Sequence, residues 1–269
     1  MYIYYFCYVN KLKLLSNYLN YLIKSDNEHG IHSPFIYEFY NDVIVDKTPF
    51  YVYYDIESIR AKLLLANLEI NIEDHGAGSK VNSSTTRKIK DVAKHTLKSP
   101  KYGQLLFRIV NRLKPKTILE LGTSLGLSTL YLAASNKNIK VTTVEGCPNT
   151  AKVAQVNFDK IGFKNIELVN DTFDHFLPHF LAQQKNLDFV FFDGNHQQEA
   201  TLNYFNLCVE KVHNETVFVF DDIHWSEGMT AAWEQIKKHP KVTSTIDLFF
   251  VGIVFFKTNL SKENFVLKF

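Results

Sequence analysis

Short apolar runs alternate with longer amphipathic segments along the chain from about residue 99 onward. Five of these runs have the length and composition of strands: Thr117–Leu121, Lys140–Glu145, Asn165–Val169, Asp188–Phe192 and Thr216–Phe220. Helical periodicity follows each of them, near residues 125–135, 149–161, 173–184, 197–212 and 227–238. Because short apolar strands separated by helices are typical of α/β proteins, the pattern predicts a parallel sheet covered by helices on both faces.

The last part of the chain breaks this alternation. Val242–Leu248 and Phe250–Lys257 are two extended runs with almost nothing between them. Two parallel strands need a crossover of a dozen residues or more, so one of these two strands runs antiparallel. The whole pattern therefore predicts an α/β fold with a seven-stranded, mostly parallel sheet and a reversed terminal strand.

The first part of the chain is mainly helical, which divides the protein into an N-terminal extension, residues 1–98, and an α/β domain, residues 99–269. An amphipathic first helix is predicted by leucines at helical intervals, Leu12, Leu15, Leu19 and Leu22. This helix packs on the main domain or on a second subunit, so a homodimer through the N-terminal helices is one reading; peripheral membrane contact is the minor alternative. No apolar run reaches the length of a membrane span.

Two shorter segments of the N-terminal part stand out. Glu73–Thr86 is rich in Gly, Ser and Asn, a composition that predicts a mobile loop. His29–Phe35, with the sequence HGIHSPF, contains a good helix start at Ser33-Pro34. Its two histidines reach over a functional site, bind a metal or serve the structure; isolated histidines are more often structural, and no Cys or acid completes a zinc set here.

Composition narrows the function classes. The chain is 46% hydrophobic, with a formal net charge of +2. This near balance gives no reason to expect nucleic-acid binding, which usually needs a strongly basic face. Cys7, Cys147 and Cys208 are widely spaced, so neither a disulfide framework nor a zinc site is expected, and a reducing cytoplasm is the simplest setting.

The most informative stretch is Thr117–Ala134, TILELGTSLGLSTLYLAA, which has the form strand, tight turn, helix. Gly122 and Gly126 permit backbone angles and close approaches that a side chain would block. Their G-x-x-x-G spacing differs from the G-x-G-x-x-G loop of nicotinamide-binding domains. The ELG turn instead resembles motif I of class I S-adenosylmethionine-dependent methyltransferases, and the strand order with a terminal hairpin resembles the Rossmann-like layout of the same family.

The resemblance implies a set of cofactor-binding residues. Glu120 would lie near the amino group of S-adenosylmethionine, and Glu145, which ends the second strand, would accept hydrogen bonds from the ribose diol. Ser124 and Ser128 either hold the cofactor carboxylate or cap the helix. Asp171, after the third strand, either accepts from the adenine amino group or caps the next helix. Gly122 and Gly126 complete the cofactor-binding set.

Acidic residues also end the fourth and fifth strands, at Asp193 in DGNH and at Asp221 and Asp222 in DDIHW. Three carboxylates this close repel one another unless a cation is present, and Mg²⁺ is the most plausible ion for oxygen ligands. The pattern resembles metal-dependent small-molecule O-methyltransferases, although Asp222 stands where catechol and caffeoyl-coenzyme A enzymes carry Asn. Without a metal, His196 or His224 is the candidate general base.

The resemblance thus implies methyl transfer from S-adenosylmethionine to a hydroxyl of a small molecule such as a sugar or a catechol-like compound, with Asp193, His196 and His224 as candidate catalytic residues. Methylation of nitrogen or of a macromolecule is the alternative on the same fold, although DGNH replaces the Asn-Pro-Pro-Tyr type of motif common among those enzymes. Two other classes stay open: a nicotinamide-dependent oxidoreductase and a non-catalytic adenosine-binding protein.

Overall fold

The computed structural model of the protein describes residues 2–73 and 85–269, which form ten α-helices, three short 3₁₀ or π segments and ten strands in that part of the chain. The helices are α1 Tyr2–Lys24, α2 Pro34–Phe39, α3 Tyr51–Leu65, α4 Ile89–Thr96, α5 Pro100–Leu113, α6 Leu127–Ala133, α7 Pro148–Ile161, α8 Phe173–Gln183, α9 Gln198–Cys208 and α10 Glu227–Lys238. The strands are β1 Glu69–Ile72, β2 Thr85–Lys88, β3 Thr117–Leu121, β4 Lys140–Glu145, β5 Ile166–Asn170, β6 Leu187–Phe192, β7 Val212–Asp221, β8 Ser244–Asp247, β9 Val251–Phe255 and β10 Glu263–Val266.

Eight strands form one sheet, in the order β10-β8-β9-β7-β6-β3-β4-β5. Strands β3 to β7 run parallel, and β9 is inserted antiparallel between β7 and β8. The predicted α/β fold with a reversed terminal strand is confirmed. An eighth strand, β10, extends the sheet beyond the predicted seven and pairs in parallel with β8. The strand β10 has only four residues, ENFV, two of them polar, so it lacks the pattern of a buried parallel strand.

The sheet is buried on both faces because successive side chains of a strand point to opposite sides. In β6, Phe189 and Phe191 join the core that includes α5 and β9, whereas Val190 and Phe192 join the core that includes α8, α9 and α10. A third core lies between α3, α4, α6 and α7. Burial on both faces explains why Phe189–Phe192 in β6 and Val217–Phe220 in β7 are continuous apolar runs rather than alternating ones.

The N-terminal segment packs against the sheet. Ile36 and Phe39 are fully or almost fully buried in the same core as Phe255 of β9. In α1, Tyr21 donates a hydrogen bond to the carbonyl oxygen of Leu267 and contacts the ring of Phe249. Whether residues 1–98 form a separate extension stays a prediction. Within the described residues, no helix combines the length and apolar character that crossing a membrane requires.

The two segments singled out in the N-terminal part have different outcomes. Residues 74–84 lie outside the described residues, so the loop predicted for Glu73–Thr86 stays a prediction there, while Thr85 and Thr86 belong to β2, which pairs antiparallel with β1. The helix start in HGIHSPF is confirmed: Ser33 caps α2 by accepting from the backbone N–H of Ile36, and Pro34 is its first residue. His29 and His32 are exposed on the surface.

Candidate active site at the carboxyl ends of the strands

The turn after β3 brings two strands of the sheet into close contact. Gly122 has a φ of +113°, and a Cβ atom at this position would lie 2.1 Å from the carbonyl oxygen of Asp193. Only glycine therefore fits between the ends of β3 and β6. Gly126 has a φ of +85°, and a Cβ there would lie 2.5 Å from the ring of Phe158 in α7. The two glycines thus have different roles: Gly122 shapes the turn, and Gly126 lets α7 pack against it.

Glu120 is completely buried directly behind this turn. Its Oε2 accepts hydrogen bonds from the hydroxyls of Thr129 and Thr143, at 2.5 and 2.6 Å. Its Oε1 is also buried and has no hydrogen-bond partner among the described residues. Burial raises the pKa of Glu120 to about 7, and the nearby hydroxyls, including that of Ser128, oppose this rise. An unpaired buried carboxylate oxygen is costly, so this atom fits a cationic ligand group.

Glu145 is held by the backbone of two turns. Its Oε2 accepts from the N–H of Ser124 at 2.8 Å, and its Oε1 accepts from the N–H of Cys147 at 2.9 Å. A carboxylate offers the acceptor oxygens that the two hydroxyls of a diol require. Glu145 is therefore fixed at the end of β4, where the ribose contact is predicted.

The two serines of the turn do not cap α6, whose N-cap is Gly126 without a side-chain hydrogen bond. The Ser124 hydroxyl donates to the hydroxyl of Thr96 at the end of α4, at 3.0 Å. The Ser128 hydroxyl lies close enough to Glu120 to lower the pKa of its carboxyl group. The capping alternative is therefore wrong for both residues, and their contact with the cofactor stays a prediction.

Asp171 lies at the end of β5, as predicted. Its carboxylate accepts from the backbone N–H of Thr172 at 2.8 Å and contacts Nδ1 of His175 at 2.6 Å. The hydrogen bond with His175 is the main cause that lowers the pKa of Asp171. Asp171 is thus tied to the first turn of α8, and its predicted contact with adenine stays a prediction.

The acids after β6 and β7 converge, as the parallel sheet requires. Asp193, His196 and Asp221 each place one ligand atom within 4.8 Å of the others. Nε2 of His196 lies 3.8 Å from Oδ1 of Asp193. Burial raises the pKa of Asp193, and the charge of Lys98 opposes this rise. The arrangement is a compact, partly buried group at the carboxyl edge of the sheet.

A lysine that sequence reasoning missed lies within this group. Nζ of Lys98 is 3.3 Å from Oδ1 of Asp193 and forms an ion pair with Oδ2 of Asp221. Only 2% of the Asp221 side chain is exposed, so its charge depends on this partner. The one sequence signal was the position of Lys98 directly before the helix start Ser99-Pro100, and the predicted domain boundary after residue 98 separated it from the acids.

Asp222 and His224 do not join the three-residue group. Asp222 has a φ of +53°, and its carbonyl oxygen accepts from the N–H of Trp225 at 3.0 Å. Nε2 of His224 lies 2.7 Å from Oδ2 of Asp247, and its Nδ1 lies 3.3 Å from the hydroxyl of Thr230. Because both ring nitrogens of His224 have partners in a different cluster, the geometry favours a structural role over the predicted role as base.

Asp222 remains close to an aromatic side chain on the acceptor side. Its charge contributes to the raised pKa of Tyr102, about 12, of which burial is the main cause. The ring of Tyr102 contacts those of Phe250 and Phe269 edge-on. Trp225, three residues after Asp222, is 60% exposed. Tyr102 thus lies within electrostatic range of Asp222, and the ring of Trp225 is open to solvent.

Comparison with known proteins agrees with this geometry. Residues 119–223 match a family model described as a methyltransferase domain. A catechol O-methyltransferase of Niastella koreensis is 30% identical over 128 residues, which are 46% of this chain and 57% of that protein. A catechol O-methyltransferase of Mycobacterium tuberculosis is 27% identical over 135 residues, 49% of this chain and 60% of that protein. The chain thus spans about three fifths of these curated relatives.

Solved structures share the fold. An O-methyltransferase from Bacillus cereus in complex with SAH has a TM-score of 0.55 and 19% identity, covering 81% of this chain and 96% of that one. An O-methyltransferase from Streptomyces achromogenes involved in tomaymycin synthesis, in complex with SAM, has a TM-score of 0.52 and 19% identity, covering 60% and 82%. The resemblance to class I S-adenosylmethionine-dependent methyltransferases is therefore confirmed.

Proposed function

From the premise that this chain is of the class I methyltransferase type, we propose that it transfers the methyl group of S-adenosylmethionine to a hydroxyl oxygen of a small molecule. The observation that carries the proposal is the buried Glu120 Oε1, which has no partner among the described residues and lies behind the motif I turn. The match to the methyltransferase domain supports the donor, and the names of the relatives support oxygen as the acceptor atom.

The residues at the ends of β3 and β4 fit the two polar ends of the donor. Glu120 offers a carboxylate oxygen to the amino group of the methionine part, and Glu145 holds a backbone-anchored carboxylate at the end of β4, where the ribose diol would bind. Gly122 keeps the turn free of side-chain atoms. When bound, S-adenosylmethionine supplies a sulfonium-activated methyl group, which leaves alignment and proton removal to the protein.

The acceptor would lie over the acids that follow β6 and β7. Asp193 and Lys98 present opposite charges to a hydroxyl group, and His196, which is 30% exposed, accepts the hydroxyl proton as a general base. The exposed ring of Trp225 follows the acids closely in the chain and would suit a flat acceptor, and two of the matched relatives are catechol O-methyltransferases. We therefore propose a phenolic, catechol-like acceptor in preference to a sugar.

A methyl-transfer assay tests the proposal. Purified protein is incubated with methyl-labelled S-adenosylmethionine and matched pairs of acceptors, such as catechol, the corresponding aromatic amine and a simple sugar, and labelled product is identified by mass spectrometry. We expect labelled phenol ethers and loss of label transfer in Glu145→Gln. Transfer to the amine alone would favour the nitrogen alternative, and no transfer to any acceptor by a protein that binds the donor would favour a non-catalytic role.

Two further proposals concern the oligomeric state and the cellular location of the protein. Exposed apolar residues on α1, among them Leu15, Leu19 and Ile23, support a homodimer through the N-terminal helices. Light scattering of the wild-type protein and of a Leu19→Glu variant tests it, because a dimer should dissociate in the variant. The cytoplasm remains the proposed location.

A further inference from the structure

The ammonium group of Lys98 occupies the place where the family resemblance predicts a divalent cation. It lies 3.3 Å from Asp193 and pairs with Asp221, two of the three residues predicted to hold Mg²⁺. These two carboxylates and His196 are the group whose ligand atoms lie within 4.8 Å of one another. A cation already neutralises one of the two negative charges at this position.

Hydrogen bonds fix the chain on both sides of Lys98. The preceding helix, α4, is tied to the motif I turn by the hydrogen bond between Thr96 and Ser124, at 3.0 Å. Directly after Lys98, the carbonyl oxygen of Ser99 accepts from the N–H groups of Tyr102 and Gly103 in the first turn of α5. Lys98 therefore belongs to a short connection whose two ends are fixed next to the site. Only 21% of its side chain is exposed.

The ligand set does not suit Mg²⁺. Magnesium prefers an octahedron of oxygen atoms, including several waters. Here the third residue close to Asp193 and Asp221 is His196, a nitrogen ligand that better suits zinc or other transition metals. Asp222, the predicted third oxygen ligand, has a backbone conformation with a φ of +53° and is not part of the group. A divalent ion at this position would also compete with the ammonium of Lys98 for the carboxylate oxygens of Asp193 and Asp221.

We propose that Lys98 replaces the divalent cation: its ammonium bridges Asp193 and Asp221, and the acceptor hydroxyl is bound and oriented by this lysine–carboxylate group without a metal ion. The inference rests on the proposed function for the identity of the acceptor. The replacement of the metal ion by Lys98 does not depend on that function, because it is a property of the protein without ligand. Lys98 acts here as a positioning residue.

Metal binding is the direct test. Chelator-treated protein is titrated with Mn²⁺, followed by electron paramagnetic resonance, in the wild type, Lys98→Ala, Lys98→Arg and the double variant Lys98→Ala/Asp193→Asn. We expect no saturable site in the wild type or in Lys98→Arg. Lys98→Ala should gain a saturable site, at least about tenfold tighter than any residual Mn²⁺ binding to the wild type, because the like charge of the ammonium is gone. The double variant should lose that site. Lys94→Ala, an exposed lysine on α4, is the matched control and should behave as the wild type.

A tight Mn²⁺ site in the wild type that disappears in Asp193→Asn would overturn the inference. So would methyl transfer that stops on chelation and returns with Mg²⁺. Circular dichroism melting identifies any variant that fails to fold, and Lys98→Arg then provides the second comparison. Calorimetric titration with S-adenosylhomocysteine separates the two proposals: absent binding refutes the proposed function, whereas the Mn²⁺ result decides the role of Lys98 in either case.

Discussion

The pKa of Glu120 makes cofactor binding depend on pH in a defined direction. In the free protein this buried carboxyl has a pKa of about 7, raised mainly by burial. The proposed contact with the cofactor's ammonium group requires the carboxylate form, so binding below pH 7 must first remove a proton from Glu120. We therefore expect the affinity for S-adenosylhomocysteine to fall as the pH is lowered from 7 to 5.5, a range in which the ligand's α-amino group stays protonated.

The size of the effect follows from linkage. If the bound state keeps Glu120 ionised throughout this range, a free-state pKa of 7 predicts an affinity loss of about 15-fold between pH 7 and pH 5.5. Isothermal titration calorimetry at several pH values measures this loss of affinity. The number of protons released on binding tests the ionisation of Glu120 independently. In Glu120→Gln the affinity should be lower at pH 7 and should depend only weakly on pH.

Glu167→Gln is the matched control for the same chemical change, because Glu167 is a surface residue of β5 that pairs with Lys140. It should keep the full pH dependence of the wild type. An affinity independent of pH in the wild type, or an equally steep pH dependence in Glu120→Gln, would show that binding does not ionise Glu120.

The same pKa predicts an effect on folding without ligand. A carboxyl whose pKa is higher in the folded than in the unfolded state contributes stability below its unfolded value of 4.5, and this stability is lost as the pH rises through about 7. At pH 8 the ionised Glu120 should therefore cost up to about 3 kcal/mol in the free energy of unfolding. Glu120→Gln should gain stability relative to the wild type between pH 5 and pH 8, as measured by urea denaturation.

Three further changes probe other parts of the site. Gly122→Ala should abolish S-adenosylhomocysteine binding in calorimetry, because the new Cβ atom would clash with the backbone of Asp193. Gly162→Ala is the control, since Gly162 also has a positive φ but has open space around it. This control should lose about 1 kcal/mol of stability and keep its binding. Glu145→Gln should weaken S-adenosylhomocysteine binding at least tenfold, because an amide nitrogen would face a backbone donor; unchanged affinity would contradict the ribose contact. Asp247→Ala removes the acceptor of three donors and should destabilise the protein by about 2–4 kcal/mol in thermal melting, with cofactor affinity retained.

The sheet could be predicted from the sequence because buried parallel strands have a strong local signal. Runs such as Phe189–Phe192 are continuously apolar, and the spacing between them leaves room for a helix. The strand β10 lacks this signal, since four residues with two polar ones resemble a loop. Its pairing with β8 depends on the position of the neighbouring strand, which only the folded chain provides.

The site was predictable where it follows from topology. Parallel strands end at the same edge, so Asp193 and Asp221 meet although they are far apart in sequence. Lys98 could not be placed in this way, because its position depends on how α4 and α5 pack against the sheet. His224 lies against Asp247 and not among the acids that precede it in sequence, because the positive φ of Asp222 redirects the chain.

The most direct measurement of the central claim is a calorimetric titration of chelator-treated wild-type protein with S-adenosylhomocysteine, with NAD as the comparison ligand. We expect saturable one-to-one binding of S-adenosylhomocysteine and no binding of NAD. Binding of NAD alone, or no heat with S-adenosylhomocysteine from a folded protein, would contradict it.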